Sequence, residues 1–185
     1  MLCCVPNALR SQRHSPADLV SLLNVARTAG LLILLPAAFL LACEDSIDTI
    51  LGAGSAFRDL SEINFDWLFK GQRHLFCIAR SDVFSAIYSK TRDISPHCLS
   101  TNVCHTARHA IMAEFVEIED HGTLNAFSPV DFNKPPASSL RVNCHTVFKD
   151  SYVSGRKKAW ENLPADFGLP SWEDMKNARD ETLSE

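Results

Sequence analysis

Thirteen consecutive residues, Leu31 to Cys43, read Leu-Leu-Ile-Leu-Leu-Pro-Ala-Ala-Phe-Leu-Leu-Ala-Cys and carry no charge. No other stretch limits the fold so strongly. A bilayer crossing takes about twenty apolar residues, and Arg27 and Glu44 close the run off too early for that. It reads as a buried helix. Leu-Leu-Ala-Cys superficially resembles a lipoprotein cleavage site, but the segment ahead of the run includes an amphipathic helix that an export signal would not carry. Pro36 suits the first turn of a core helix, with Ala37–Cys43 following from it. Leu34, Leu35, Phe39 and Leu40 are expected to dock that helix in the core.

Helical periodicity extends on both sides. Residues 1–14 show no period and read as a flexible leader. Ser15-Pro16-Ala17-Asp18 then gives a cap, a first-turn proline and an acid. Leu19, Leu22, Leu23 and Ala26 share one face, and Gly30 is the expected stop. Ile47, Ile50 and Leu51 form a short turn before Gly52-Ala53-Gly54. A third helix opens at Leu60-Ser61, buries Phe65, Leu68 and Phe69, and closes at Gly71. Gln72–Lys90 predicts a long helix on the stripe Phe76, Ala79, Val83 and Ile87.

Ser95-Pro96 marks a linker before Val103–Ile118, where Cys104, Ala107, Ile111, Phe115 and Ile118 recur at helical spacing. Residues 119–139, with Gly122, Pro129, Pro135 and Pro136, read as a long loop. Val142–Asn162 is helical again, aligning Cys144, Phe148, Tyr152, Gly155 and Ala159, and Leu163-Pro164 should end it. Ser171 to Asp174 repeats the cap-plus-acid signature for a terminal helix carrying Trp172, Met175 and Leu183. The expectation is all-α: an irregular bundle of about six to seven helices. Residues 15–176 would form a single helical domain, followed by a frayed end at 177–185.

Composition narrows the function classes. Hydrophobic content of 46% with 22% charged residues is that of an ordinary globular domain. A net charge of −4 gives no electrostatic footprint for nucleic acid. The one dense basic cluster, Arg156-Lys157-Lys158, reads as a solvated helix face. Seven scattered cysteines do not form a secreted disulfide framework. They point to reduced thiols in an intracellular compartment, cytoplasmic or nuclear, with no membrane partner.

Gly52-Ala53-Gly54 has Phe57 where a phosphate loop needs a third glycine, and no strand precedes it. Neither a nucleophile elbow nor His-Glu-x-x-His occurs, and Ser55 has no base nearby in sequence. Glu114, Glu117, Glu119 and Asp120 crowd a helix end as a solvated surface would. The expectation is a non-enzymatic chain without a catalytic residue.

Cys98 and Cys104, with five residues between them, and Cys144 and His145 offer thiolate and imidazole, the donors zinc prefers. His97, His105 and His109 surround the first pair. These four, Cys98, Cys104, Cys144 and His145, are the candidate ligands for a structural zinc. The alternative is that Cys104 and Cys144, both on apolar stripes, are inert core thiols and no cofactor is bound. Trp160, Leu163, Phe167 and Trp172 are expected to pin the tail to the core or to anchor a partner.

Three stretches taken together resemble a known family. Val20-Ser21-Leu22-Leu23-Asn24-Val25-Ala26-Arg27 leads into Leu34-Leu35-Pro36-Ala37-Ala38-Phe39 and Cys43. Leu68-Phe69-Lys70-Gly71-Gln72-Arg73 precedes the Cys98 and Cys104 pair. The tail reads Gly155-Arg156-Lys157-Lys158-Ala159-Trp160-Glu161-Asn162-Leu163-Pro164, then Phe167-Gly168-Leu169-Pro170-Ser171-Trp172-Glu173. Over about residues 18–176 this order resembles the helical region that follows the BTB/POZ domain in proteins of mushroom-forming fungi. The resemblance implies a protein–protein interaction module that positions or selects a protein partner. Arg141 stands where that family commonly has the first cysteine of Leu-Cys-x-x-Cys, so a four-cysteine site would here lack a ligand that only a histidine such as His145 could replace. The seventeen residues before Asp18 cannot hold a BTB domain, so dimerisation through one is not expected.

Overall fold

The computed structural model describes residues 15–43, 62–90, 94–121, 127 and 130–182. Among them the chain forms seven α-helices and no strand, the all-α class expected from the periodicity. These are α1 (Pro16–Thr28), α2 (Leu35–Ala42), α3 (Glu62–Ile78), α4 (Ser85–Tyr88), α5 (Thr101–His121), α6 (Val142–Asp166) and α7 (Trp172–Thr182). The leader, the Ile47–Gly54 stretch, the Leu60-Ser61 opening and Leu183 lie outside the described residues. The chain divides into two compact units, residues 1–74 with 160–185, and residues 75–159.

In the first unit, α1 begins as its sequence dictates. The Ser15 hydroxyl accepts the Asp18 amide at 3.2 Å and donates to the Asp18 carboxylate at 2.7 Å. It ends at Gly30, whose φ of 69° lets Leu31 N–H reach the Ala26 carbonyl and Gly30 N–H reach that of Arg27. Leu19, Val20, Leu23 and Ala26 face inward, whereas Leu22 is exposed.

The apolar run opens with a 3-10 turn, Leu32–Leu34, and continues as α2. Leu35, Phe39 and Leu40 are fully buried, each stabilising the fold by about 1.5–3 kcal/mol. Leu34 is not docked as expected. Three residues per turn in the 3-10 segment bring Leu31 and Leu34 onto one side, and both are exposed.

The inward line of α3 carries Asn64, Leu68 and Gly71, while Phe65 and Phe69 stand half-buried against each other at 4.5 Å. Asn64 is fully buried: it accepts from Arg27 Nε at 2.7 Å and donates to Asn24 Oδ1 at 3.0 Å. Gly71 does not end this helix, which runs on to Ile78. A Cβ at Gly71 would overlap the Phe167 ring, which stacks on Phe39 at 4.9 Å. The glycine serves close approach rather than termination.

The second unit replaces the expected Gln72–Lys90 helix with the end of α3, a π-helical turn at Ala79–Val83 and the short α4. Phe84 N–H reaches back five residues to the Ala79 carbonyl at 2.8 Å. The extra residue turns both Val83 and Phe84 inward and leaves Phe76 half-buried beneath Arg80. Arg108 of α5 donates to the carbonyls of Ile87 and Ser89. Helix α5 continues to His121, into the stretch expected to be loop, and Ala137–Ser139 forms a further 3-10 turn there.

Along α6, Cys144, Phe148, Tyr152, Gly155 and Ala159 are all buried on one stripe, as the spacing predicts. Gly155 lies where a Cβ would meet the main chain of Asp82 and Val83. Arg156 donates to the Phe127 carbonyl at 3.0 Å, and Lys158 pairs with Asp82 at 3.0 Å.

Leu163-Pro164 does not end α6. In the first unit the helix passes through Pro164 to Asp166. It stops at Gly168, whose φ is 65° and where Leu169 N–H bonds to the Pro164 carbonyl at 2.9 Å. Ser171 then caps α7, accepting the Asp174 amide at 3.2 Å. No helix among the described residues is long and apolar enough to cross a membrane.

Candidate metal centre

Three segments of the 75–159 unit deliver one thiol each to a common point. Cys98 sits in the turn ahead of α5, shaped by Cys98 N–H to the Ser95 carbonyl at 3.1 Å and His97 N–H to the Ser95 hydroxyl at 3.2 Å. Cys104 lies in the opening turn of α5, its amide bonded to the Ser100 carbonyl at 3.1 Å. Cys144 lies in the first turn of α6 and is fully buried. The Asn143 side-chain amide donates to the His97 carbonyl at 2.9 Å, tying the start of α6 to the Cys98 turn.

The three sulfurs lie within 4.8 Å of one another. In a tetrahedral zinc site with Zn–S bonds of about 2.3 Å, neighbouring sulfurs stand about 3.8 Å apart. A contraction of at most about 1 Å therefore closes the trio on an ion of that size. Burial, with the Cys98 and Cys104 sulfurs alongside, pushes the Cys144 thiol up to about 12. Cys104 Sγ accepts the main-chain N–H of Arg141 at 3.4 Å, and Arg141 sits immediately before α6.

The structure thus gathers Cys98, Cys104 and Cys144 and leaves His145 outside. Successive residues on a helix point about 100° apart, so the His145 ring turns to another face, where Nε2 meets the Phe132 carbonyl at 3.0 Å. His105 and His109 form a separate exposed pair on α5 with their Nε2 atoms 3.2 Å apart. A cleft of about 440 Å³ is walled by His97, Leu99, Ser100, Arg141, Val142 and Asn143, all within three positions of Cys98 or Cys144 in the chain. No side-chain pattern marks the Arg141 amide, since any residue but proline can supply a main-chain N–H.

The four tail residues are all in the first unit. Leu163 and Phe167 are fully buried, and Trp160 and Trp172 are half-buried. No protein-family model, curated protein or solved structure matches the chain.

Proposed function

We propose that this chain is a non-enzymatic helical module for protein–protein contact whose 75–159 unit is fastened by a thiophilic metal on Cys98, Cys104 and Cys144. The observation that supports the metal is the convergence of three sulfurs from three separate segments within 4.8 Å. A thiolate site joining the starts of two helices to a preceding turn restrains the chain where side-chain packing alone would have to do so. The order of sequence stretches that resembles the region after the BTB domain in fungal proteins supports the interaction role.

Cadmium, a soft divalent probe, tests the metal. Reduced protein carrying Cys3→Ser, Cys4→Ser and Cys77→Ser, titrated with Cd(II), should develop a thiolate-to-metal absorption band saturating at one equivalent, and adding Cys104→Ser should abolish that saturation. A featureless titration would remove the metal from the proposal.

Leu99 is 94% exposed and Val142 76% exposed, and both wall the cleft. Exposed apolar side chains beside Arg141, His97 and Asn143 give the mixed apolar and polar composition of a protein interface. Proximity labelling in cells by the native chain and by Leu99→Asp/Val142→Asp should yield sets differing in a defined group of proteins. Identical sets would refute this surface.

A further inference from the structure

We propose that the Cys98, Cys104 and Cys144 trio is a three-coordinate site for trivalent arsenic, filled by arsenous acid. This rests on reading the trio as a metal site and goes further by assigning the ion.

The first argument is ligand number. Among the described residues, no histidine, carboxylate or fourth cysteine joins the three sulfurs, and His145 is turned to the Phe132 carbonyl. Structural zinc takes four ligands, whereas arsenic(III) completes its pyramidal shell with three and a lone pair. The Arg141 amide, at 3.4 Å from Cys104 Sγ, takes up space beside that sulfur from the segment that could have supplied a fourth donor.

Charge gives the second. Three thiolates around a divalent ion leave one net negative charge. Cys104 and Cys144 are buried and Cys98 is half-buried, so that charge would be largely withdrawn from water. The Arg141 side chain is exposed and screened by solvent, and so offsets little of it. Arsenic(III) with three thiolates is neutral. Arsenous acid, As(OH)3, loses three As–O bonds and gains three As–S bonds; each thiol proton leaves on a hydroxide as water. Three waters form, and no oxidation state changes.

Access is the third. Cys98 is half-buried while Cys104 and Cys144 are buried, so Cys98 is the thiol that a small uncharged solute would meet first.

The test uses the full chain carrying Cys3→Ser, Cys4→Ser and Cys77→Ser, which leaves the trio and buried Cys43. Reduced protein is titrated separately with sodium arsenite and zinc chloride against a fixed excess of a monothiol, then desalted and assayed for bound element. One equivalent of arsenic should be retained, at least tenfold more tightly than zinc. Cys98→Ser, Cys104→Ser and Cys144→Ser should each weaken retention at least tenfold. Cys98→Ser, at the half-buried position, carries the least risk of unfolding. Arg141→Cys adds a sulfur three residues before Cys144 and should reverse the preference towards zinc. One equivalent of zinc with no selective retention of arsenic would overturn the choice of ion while leaving the metal site standing. Binding of neither would overturn both. An unchanged preference in Arg141→Cys would defeat the ligand-number argument.

Discussion

The indole N–H of Trp172 donates to the main-chain carbonyl of Trp160 at 2.8 Å, and the two rings stack with centroids 5.2 Å apart. Trp160 lies four residues before Pro164, whose nitrogen has no hydrogen, so this carbonyl lacks its helical donor. The indole stands in for the missing amide. Trp172→Phe keeps an aromatic ring and removes the donor, and should cost about 1 kcal/mol in urea denaturation. In a Pro164→Ala background, where a backbone donor is restored, most of that cost should vanish. Equal costs in the two backgrounds would show that the bond is idle.

Gly71 and Gly155 each sit in a helix, where alanine is normally preferred by about 1 kcal/mol. Both Gly→Ala changes should nevertheless destabilise. At Gly71 the obstacle is the Phe167 ring, which can shift, and a net loss of about 1–3 kcal/mol is expected. At Gly155 the obstacle is the backbone of Asp82 and Val83, which yields less readily, so this loss should be the larger. A stabilised Gly155→Ala protein would contradict the packing described.

Arg27 packs its guanidinium 4.2 Å from the centre of the Trp67 ring while Nε donates to Asn64. Burial lowers its affinity for a proton, yet an arginine stays charged at any ordinary pH. Lysine keeps the charge but has neither the flat face nor the Nε donor. Arg27→Lys should therefore cost about 1–3 kcal/mol, with altered Trp67 fluorescence. A variant indistinguishable from the parent in both readouts would rule out this role.

Cys144 supplies a pH prediction for the metal-free protein. Its folded value is raised from 9.0 to about 12, chiefly by burial. Between those values the folded state binds more protons than the unfolded one, so stability falls as pH rises. Its full contribution is present below pH 9, and above that the loss approaches about 1.4 kcal/mol per unit at most. Denaturation curves from pH 8 to 10.5 should show this decline in the parent and a shallower one in Cys144→Ala. Parallel curves would mean that Cys144 ionises equally well in both states.

Much of the fold was legible because it is written locally. Ser15 and Ser171 cap the helices their sequence marks, Gly30 ends α1, and the Cys144-to-Ala159 stripe is buried throughout. The misreadings have non-local causes. Gly71 resembles a stop until Phe167 is placed against it, and Pro164 resembles a terminator until the Trp172 indole is seen at the Trp160 carbonyl. A π turn leaves no mark in an apolar pattern that still repeats on either side of it, so residues 72–90 read as one helix. At the cysteine trio, chain proximity is a poor guide to spatial proximity: His145 adjoins Cys144 in sequence but points about 100° away from it, towards the Phe132 carbonyl.

Asn64 has a consequence for alignment. Its amide sits on the inward line of α3 ahead of turns that present Leu68 and Gly71, and it is matched to Asn24 and Arg27 of α1. If α3 slipped by one turn, Leu68 would face those two polar side chains and the Asn64 amide would be buried against hydrocarbon. An apolar residue at position 64 would tolerate either placement. The asparagine tolerates one, so a single amide distinguishes the native pairing of two helices from its nearest neighbour.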